Sequence, residues 1–309
     1  MRRLLTTLMA LVFLTTPATA QNRDPEAVYK AAGARASKPL ATISYGADAL
    51  QVADLRLPSG KGPFPVAVVI HGGCFMASVD KRGGIAAFAD TLTKRGFATW
   101  NIEYRRVGDP GGGWPGTFTD VAMAIDKLAD VAKTHNLDLS RVTFVGHSAG
   151  AYFALWAASR SRLDAPWNAP KVTPASVVAI DGPGALAPFV GVDQDICGRP
   201  VIVPLMGGTP SERPAEYRMA SPQDHLPLGI PQLLVEADLA DLMKPYFAAV
   251  KASGDQVHTL APHQANHFDI VTPTSVNGRA VIDFIVSHTL AAQNRPGESV
   301  RPPRTARHR

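Results

Sequence analysis

The segment RVTFVGHSAGAYFALW (residues 141–156) places a serine between two glycines where an apolar run gives way to a helical pattern. Val142–Val145 has the composition of a buried strand, and Ala149–Arg160 has the spacing of a helix. In a Gly-x-Ser-x-Gly turn between strand and helix, the glycines let the chain reverse and the serine hydroxyl stands above the sheet edge. The first N–H groups of the helix point to the same place. We therefore predict that Ser148 is a nucleophile.

A serine hydroxyl needs a general base, and three histidines follow Ser148 near predicted strand ends. His258 lies within the run VHTL, which favours a place in a strand. His263 and His267 lie in the loop APHQANHFDIV, and a fresh apolar segment follows His267. We predict that His267 is the base, with His263 as the alternative.

A carboxylate is expected to orient the imidazole and to stabilise its charged form. After a nucleophile of this kind the acid precedes the histidine along the chain, and the loop after the predicted strand 231–237 reads EADLADLMKP. We predict that Asp241 is the acid and keep Asp238 as the alternative. Asp181, which follows the preceding predicted strand, is a third candidate.

The oxyanion of an acyl-transfer reaction needs backbone N–H donors aimed at the developing charge. Ala149, directly after the predicted nucleophile, offers one of them. The segment VVIHGGCF provides a glycine-rich loop after an early apolar run, and we predict that Gly73 and Cys74 are the other donors.

Five motifs together resemble the α/β-hydrolase superfamily: HGGCF, NIEYRRVG, GGGWPGTFTD, GHSAG and NHFDIV. The resemblance spans residues 45 to 290 and points to the esterase and lipase branch with His-Gly-Gly oxyanion loops. That branch includes kynurenine formamidase-like proteins and small acyl esterases related to prolyl oligopeptidase catalytic domains. It implies an α/β-hydrolase fold, in which helices flank a mostly parallel sheet on both faces.

The predicted function is that of a serine hydrolase that cleaves small-molecule carboxylic esters through an acyl-enzyme, without a metal or an organic cofactor. An amide hydrolase of the arylformamidase type is one alternative. A catalytically inactive hydrolase fold that only binds ligands is another.

Apolar and alternating runs predict strands at 41–46, 50–58, 66–70, 97–104, 141–146, 176–182, 231–237 and 256–262. Helical spacing predicts helices at 82–95, 117–135, 149–160, 243–253 and 278–290. The first two strands are expected to form an edge hairpin. The alternation predicts parallel βαβ units in one catalytic domain, residues 41–291, with the proline-rich stretch 183–230 as a small irregular cap. Residues 21–40 are interpreted as a lead-in.

The two ends of the chain account for its net positive charge, and the first of them predicts where the protein is located. Residues 1–20 have the basic start, short apolar centre and Ala-Thr-Ala end of a signal peptide, so we expect cleavage after Ala20 and a periplasmic or secreted protein without stable membrane insertion. Residues 292–309 are expected to form a disordered basic tail. The net charge of +5 comes from these ends and leaves −1 on residues 21–294, which argues against nucleic-acid binding. Cys74 and Cys197 form a disulfide or stay two buried thiols.

Overall fold

The structure is a computed structural model that describes residues 24–293, with side chains described as far as residue 290. The predicted signal peptide and nearly all of the predicted basic tail lie outside the described residues. The strands are β1 (Ala41–Ser44), β2 (Val52–Arg56), β3 (Phe64–Ile70), β4 (Ala98–Ile102), β5 (Leu137–His147), β6 (Ser176–Ile180), β7 (Gln232–Val235) and β8 (Val257–Leu260).

These strands form one sheet in the order β1-β2-β4-β3-β5-β6-β7-β8. The pairs β1–β2 and β2–β4 are antiparallel, whereas every other neighbouring pair is parallel. β1 and β2 form the predicted edge hairpin. The central strands β3 and β6, and residues 142–147 of β5, are mostly apolar and almost entirely buried, as expected of parallel strands covered by helices on both faces.

Helices cover both faces of the sheet, as the resemblance implied. They are α1 (Pro25–Ala34), α2 (Ala86–Lys94), α3 (Gly116–Asp126), α4 (Leu128–His135), α5 (Ala149–Ser159), α6 (Asp193–Cys197), α7 (Ile202–Met206), α8 (Pro214–Met219), α9 (Ala240–Ser253) and α10 (Val276–Gln293). One face packs around Trp100, Phe118 and Trp156, and the other packs around Phe88, Val69 and Ile282.

Outside the cap segment, residues 183–230, the helices differ from the expectation in two places. The segment predicted as a single helix at 117–135 is two helices, α3 and α4, that meet at Lys127. Residues 25–34, within the predicted lead-in, form helix α1. Asp24 caps α1 by accepting a hydrogen bond from the Glu26 N–H, and proline occupies its first turn.

The cap segment, residues 183–230, contains α6, α7 and α8 together with the short 3-10 helices Ala187–Phe189 and Pro222–His225. Among the described residues, no helix is both long and apolar enough to cross a membrane. The parallel strands bring the residues that follow β3, β5, β6, β7 and β8 to one edge of the sheet, where ligands bind in folds of this kind.

Candidate active site

Ser148 lies at the turn between β5 and α5 with φ 57° and ψ −122°, a backbone conformation that non-glycine residues adopt rarely. A Cβ atom on Gly146 would lie 1.9 Å from the Gly150 carbonyl oxygen, and one on Gly150 would lie 2.1 Å from the Ile70 carbonyl oxygen. The Ser148 N–H donates to the Ile180 carbonyl oxygen at 2.9 Å, which ties the turn to β6. Close backbone packing thus explains the two glycines of the motif.

His267 lies on the loop after β8, and its ring is paired with a carboxylate. Its Nδ1 lies 2.7 Å from Oδ2 of Asp181. A carboxylate only accepts, so Nδ1 carries a proton, and in the neutral ring Nε2 is then the acceptor. This is the tautomer that a general base toward a serine hydroxyl needs.

Asp181 directly follows β6 and is fully buried. Its Oδ1 accepts hydrogen bonds from the Ala237 and Leu239 N–H groups at 2.9 and 3.0 Å, while Oδ2 faces His267. Both oxygens of the carboxylate are therefore held in place. Asp181, the third acid candidate predicted from the sequence, is therefore the residue whose carboxylate contacts the His267 ring.

The prediction that Asp241 is the acid is wrong. Its side chain is 88% exposed and pairs with Lys244 at 2.5 Å in the first turn of α9. The turn after β7 is short, so α9 begins at Ala240. Asp241 therefore lies in the helix, and its carboxylate points into solvent. Strand β6 lies between β5 and β7, and its carboxyl end therefore lies closer to Ser148.

The remaining candidates have other positions. Asp238 accepts a hydrogen bond from the backbone N–H of His267 at 2.9 Å and so holds the loop rather than the ring. His263 is exposed on the same loop. His258 lies in β8, where its ring packs at a tilt against His288 with centroids 4.4 Å apart.

The glycine-rich loop after β3 packs against the Ser148 turn. A Cβ atom on Gly72 would lie 3.0 Å from the Ser148 Cβ, so the two backbones are in close contact. Gly73 has φ +110° and Cys74 has φ +52°. Within residues 24–293, no acceptor pairs with the N–H of either residue. Ala149 is the first residue of α5, where helical N–H groups have no partner inside the helix. These are the three predicted oxyanion donors.

A buried ion pair supports this loop from behind. His71 is fully buried, with Nε2 2.8 Å from Oε1 of Glu103 and Nδ1 2.7 Å from the Gly72 carbonyl oxygen. Both partners can accept, so each ring nitrogen is placed to donate a hydrogen bond. Burial by itself raises the pKa of Glu103, but His71 and then Arg106 outweigh it, and the pKa falls to about 2. The Tyr104 hydroxyl donates to the His71 carbonyl oxygen at 2.7 Å.

His147, next to the predicted nucleophile, holds the His267 loop. Its Nε2 lies 2.8 Å from the His267 carbonyl oxygen, and the two rings are 4.4 Å apart. Burial and the neighbouring His267 lower the pKa of His147 well below its ordinary value, so the ring is neutral. A carbonyl accepts, and Nε2–H is therefore the donor.

Ser148 and His267 line the same cavity of about 470 Å³. Glu26, Tyr29 and Lys30 of α1 form one of its walls. The Tyr29 hydroxyl donates to Oδ2 of Asp80 at 2.9 Å, which fixes α1 over the site.

A second cavity of about 30 Å³ opens beside Ser148 and Ala149. Its walls are mainly apolar and include Phe75, Pro183, Phe189, Ile196, Val201, Ile202 and Leu239.

The sequence did not indicate the α1 wall of the cavity or the contact between His147 and the His267 loop. Asp24-Pro25-Glu26 is a helix-start signal that could have indicated α1, but nothing local indicates that the helix packs over the site. Cys74 and Cys197 form a disulfide, with Cα atoms 5.9 Å apart across a sequence separation of 123 residues.

The family model described as BD-FAE matches residues 53–251. No curated protein sequence matches the chain significantly. A bifunctional GH43-CE protein of Bacteroides eggerthii superposes with a TM-score of 0.64 at 22% identity, over 79% of this chain and 37% of that one. The chain thus spans well under half the length of that protein.

Two other solved structures match over most of their own length. A truncated carbohydrate esterase from gut microbiota has a TM-score of 0.64 at 18% identity, over 82% of this chain and 97% of that one. Esterase B from Lactobacillus rhamnosis has a TM-score of 0.70 at 16% identity, over 87% and 94%. At these identities the likeness establishes the α/β-hydrolase fold.

Proposed function

The chain belongs to the BD-FAE family, and from that premise we propose that it is a serine hydrolase of carboxylic esters. One observation carries the proposal. His267, which is hydrogen-bonded to Asp181, lines the same cavity as Ser148, and Ser148 stands on a strained strand-to-helix turn. A nucleophile, a base and an orienting acid in this relation are the parts that acyl transfer requires.

In the proposed reaction, Nε2 of His267 takes the proton of the Ser148 hydroxyl as its oxygen attacks the ester carbonyl. The oxyanion is bound by backbone N–H groups of Gly73, Cys74 and Ala149. His267 then gives its proton to the departing alcohol. Water attacks the acyl-enzyme with the same histidine as the base and releases the acid.

The two cavities suggest where each half of the ester binds. The leaving alcohol must lie next to His267, which protonates it, and His267 lines only the larger of the two cavities. The acyl group then extends into the smaller apolar cavity beside Ala149. A volume of about 30 Å³ suits an acyl group little larger than acetyl.

The larger cavity favours a polar alcohol. Its walls carry Glu26, Lys30, Asp80 and Asp238, which offer donors and acceptors to hydroxyl groups. Three carboxylates against one ammonium disfavour an anionic alcohol. One of the similar structures is described as a carbohydrate esterase. We therefore propose a neutral polyhydroxylated alcohol, such as a sugar, as the leaving group.

We also propose that the protein is exported, as residues 1–20 suggest. The Cys74–Cys197 disulfide supports this, since disulfides persist in oxidising compartments. Expression in a Gram-negative host and mass measurement of the periplasmic protein test it. The proposal predicts a chain that begins at Gln21, and recovery of the full-length chain from the cytoplasm would contradict it.

A fluorophosphonate probe tests the proposed chemistry, because it reacts only with an activated serine. Digestion and mass spectrometry should find the label on Ser148 in the wild type and no label in Ser148→Ala. A binding protein with an inactive hydrolase fold would stay unlabelled. Comparison of an acetylated sugar with an aryl formamide then separates an esterase from an amide hydrolase.

A further inference from the structure

The disulfide joins two parts of the site that are far apart in sequence. Cys74 lies in the loop after β3, and Cys197 is the last residue of α6 in the cap segment. Both cysteines line the larger cavity and the smaller one. The bond therefore lies where the two cavities meet, beside Ser148.

The backbone at Cys74 is strained. Its φ is +52° and that of Phe75 is +59°, so two successive non-glycine residues occupy the left-handed region. Such conformations persist only where the surroundings impose them. Phe75 is held by its buried ring and by the Val107 N–H, which donates to its carbonyl oxygen at 2.9 Å.

Cys74 has no comparable hydrogen bond. Within residues 24–293, neither its N–H nor its carbonyl oxygen has a partner, although His71 upstream and Met76 downstream are both anchored. The Met76 N–H donates to the Gly73 carbonyl oxygen at 2.9 Å. The covalent bond to Cys197 is thus the strongest constraint on Cys74, one of the proposed oxyanion donors.

The other end of that tie is itself well supported. The Asp193 carboxylate, at the start of α6, accepts hydrogen bonds from the N–H groups of Val201 and Ile202 at 2.7 and 2.8 Å. It also accepts one from the Gly191 N–H at 3.1 Å. These bonds fix α6 to the start of α7. Cys197 therefore ties Cys74 to a helix that is itself held by hydrogen bonds.

We propose that the Cys74–Cys197 disulfide positions the Cys74 N–H for oxyanion binding, so that ester hydrolysis depends on the oxidised form. This inference rests on the proposed function. Without the bond, residue 74 can relax to a negative φ, which turns its N–H away from the carbonyl. The loss falls on the transition state, where the oxyanion carries its charge, rather than on ground-state binding.

The test compares Cys197→Ala, which cuts the tie and leaves residue 74 unchanged, with the wild type as full chains. Gln194→Ala is the matched control, because Gln194 is exposed on α6 and the disulfide remains. We expect Cys197→Ala to lower kcat for p-nitrophenyl acetate by about tenfold to a hundredfold per titrated active site, with KM within about threefold. The fluorophosphonate labelling rate should fall in parallel.

A purely structural bond would lower the melting temperature and the number of active sites, but not the kcat of each titrated site. A kcat per site within about twofold of the wild type in Cys197→Ala would overturn the proposal. A wild type that shows no Ser148-dependent hydrolysis would instead overturn the proposed function. Loss of kcat in Gln194→Ala as well would trace the effect to α6 in general and contradict a role for the disulfide.

Reduction of the folded wild type supplies a second measurement if Cys197→Ala does not fold. A trialkylphosphine reduces the S–S bond to two thiols and is oxidised to the phosphine oxide with oxygen from water. We expect kcat per site to fall while circular dichroism is unchanged. It should recover when a disulfide oxidant such as oxidised glutathione, itself reduced to two thiols, restores the S–S bond. Activity that falls only together with the folded signal would overturn the proposal.

Discussion

Nδ1 of His267 lies 2.7 Å from Oδ2 of Asp181, although 86 residues separate them in the sequence. The other oxygen of that carboxylate accepts two backbone N–H groups from the turn after β7. The ring is therefore fixed in one orientation and one tautomer. We propose that this pair, and not a pair with Asp241, supplies the base and the acid of the reaction.

Asp181→Asn is expected to lower kcat by about 10³- to 10⁴-fold, because an amide can favour the wrong tautomer of the ring. Asp241→Asn is the matched control. Its exposed ion pair with Lys244 contributes little, so kcat should stay within about twofold of the wild type. Steady-state kinetics with p-nitrophenyl acetate measure both variants. A large loss in Asp241→Asn with a small one in Asp181→Asn would reverse the assignment.

His147 is expected to act through the position of His267. His147→Phe removes the donor to the His267 carbonyl oxygen and should lower kcat about tenfold with little change in KM. His147→Gln keeps an N–H donor at a similar reach and should retain most of kcat. Equal losses in the two variants would show that this hydrogen bond does not matter.

The small cavity beside Ala149 predicts a preference for short acyl chains. We expect kcat/KM for p-nitrophenyl acetate to exceed that for the hexanoate by about a hundredfold. Phe189→Ala should lower this ratio because it enlarges the smaller cavity. Val79→Ala, in the wall of the larger cavity, serves as the control and should leave the ratio unchanged. A wild type that prefers hexanoate would place the acyl group elsewhere.

The ion pair behind the oxyanion loop predicts how stability depends on pH. The pKa of Glu103 is about 2 in the folded chain against an ordinary 4.5, so the folded state is stabilised above pH 4.5 and loses this contribution as the pH falls toward 2. The full loss is about 3 kcal/mol. Urea unfolding at about pH 5 and about pH 3 should show a smaller decrease for Glu103→Gln than for the wild type. The same decrease in both proteins would contradict this role.

The sequence was most informative where local pattern decides the structure. All eight predicted strands are present, because each is a short apolar or alternating run bounded by polar or turn residues. Ser148 and His267 line one cavity because both follow strands of the parallel sheet, whose carboxyl ends share an edge.

The acid could not be chosen from the sequence because three aspartates follow neighbouring strands within a few residues. Asp181 differs from Asp238 and Asp241 only in the strand that precedes it. Which aspartate contacts His267 depends on the strand order and on the residue at which α9 begins. Similarly, the packing of α1 over the site and the Cys74–Cys197 bond are contacts between distant segments, which local pattern does not encode.

The most direct measurement of the central claim compares ester hydrolysis by the wild type and Ser148→Ala. The mature wild type should hydrolyse p-nitrophenyl acetate and release acetate, and Ser148→Ala should lower kcat by about 10⁶-fold. Both proteins should show a cooperative thermal unfolding transition, so that the loss of kcat can be assigned to the chemical step and not to unfolding. Undiminished hydrolysis by Ser148→Ala, or none by a folded wild type, would contradict the account.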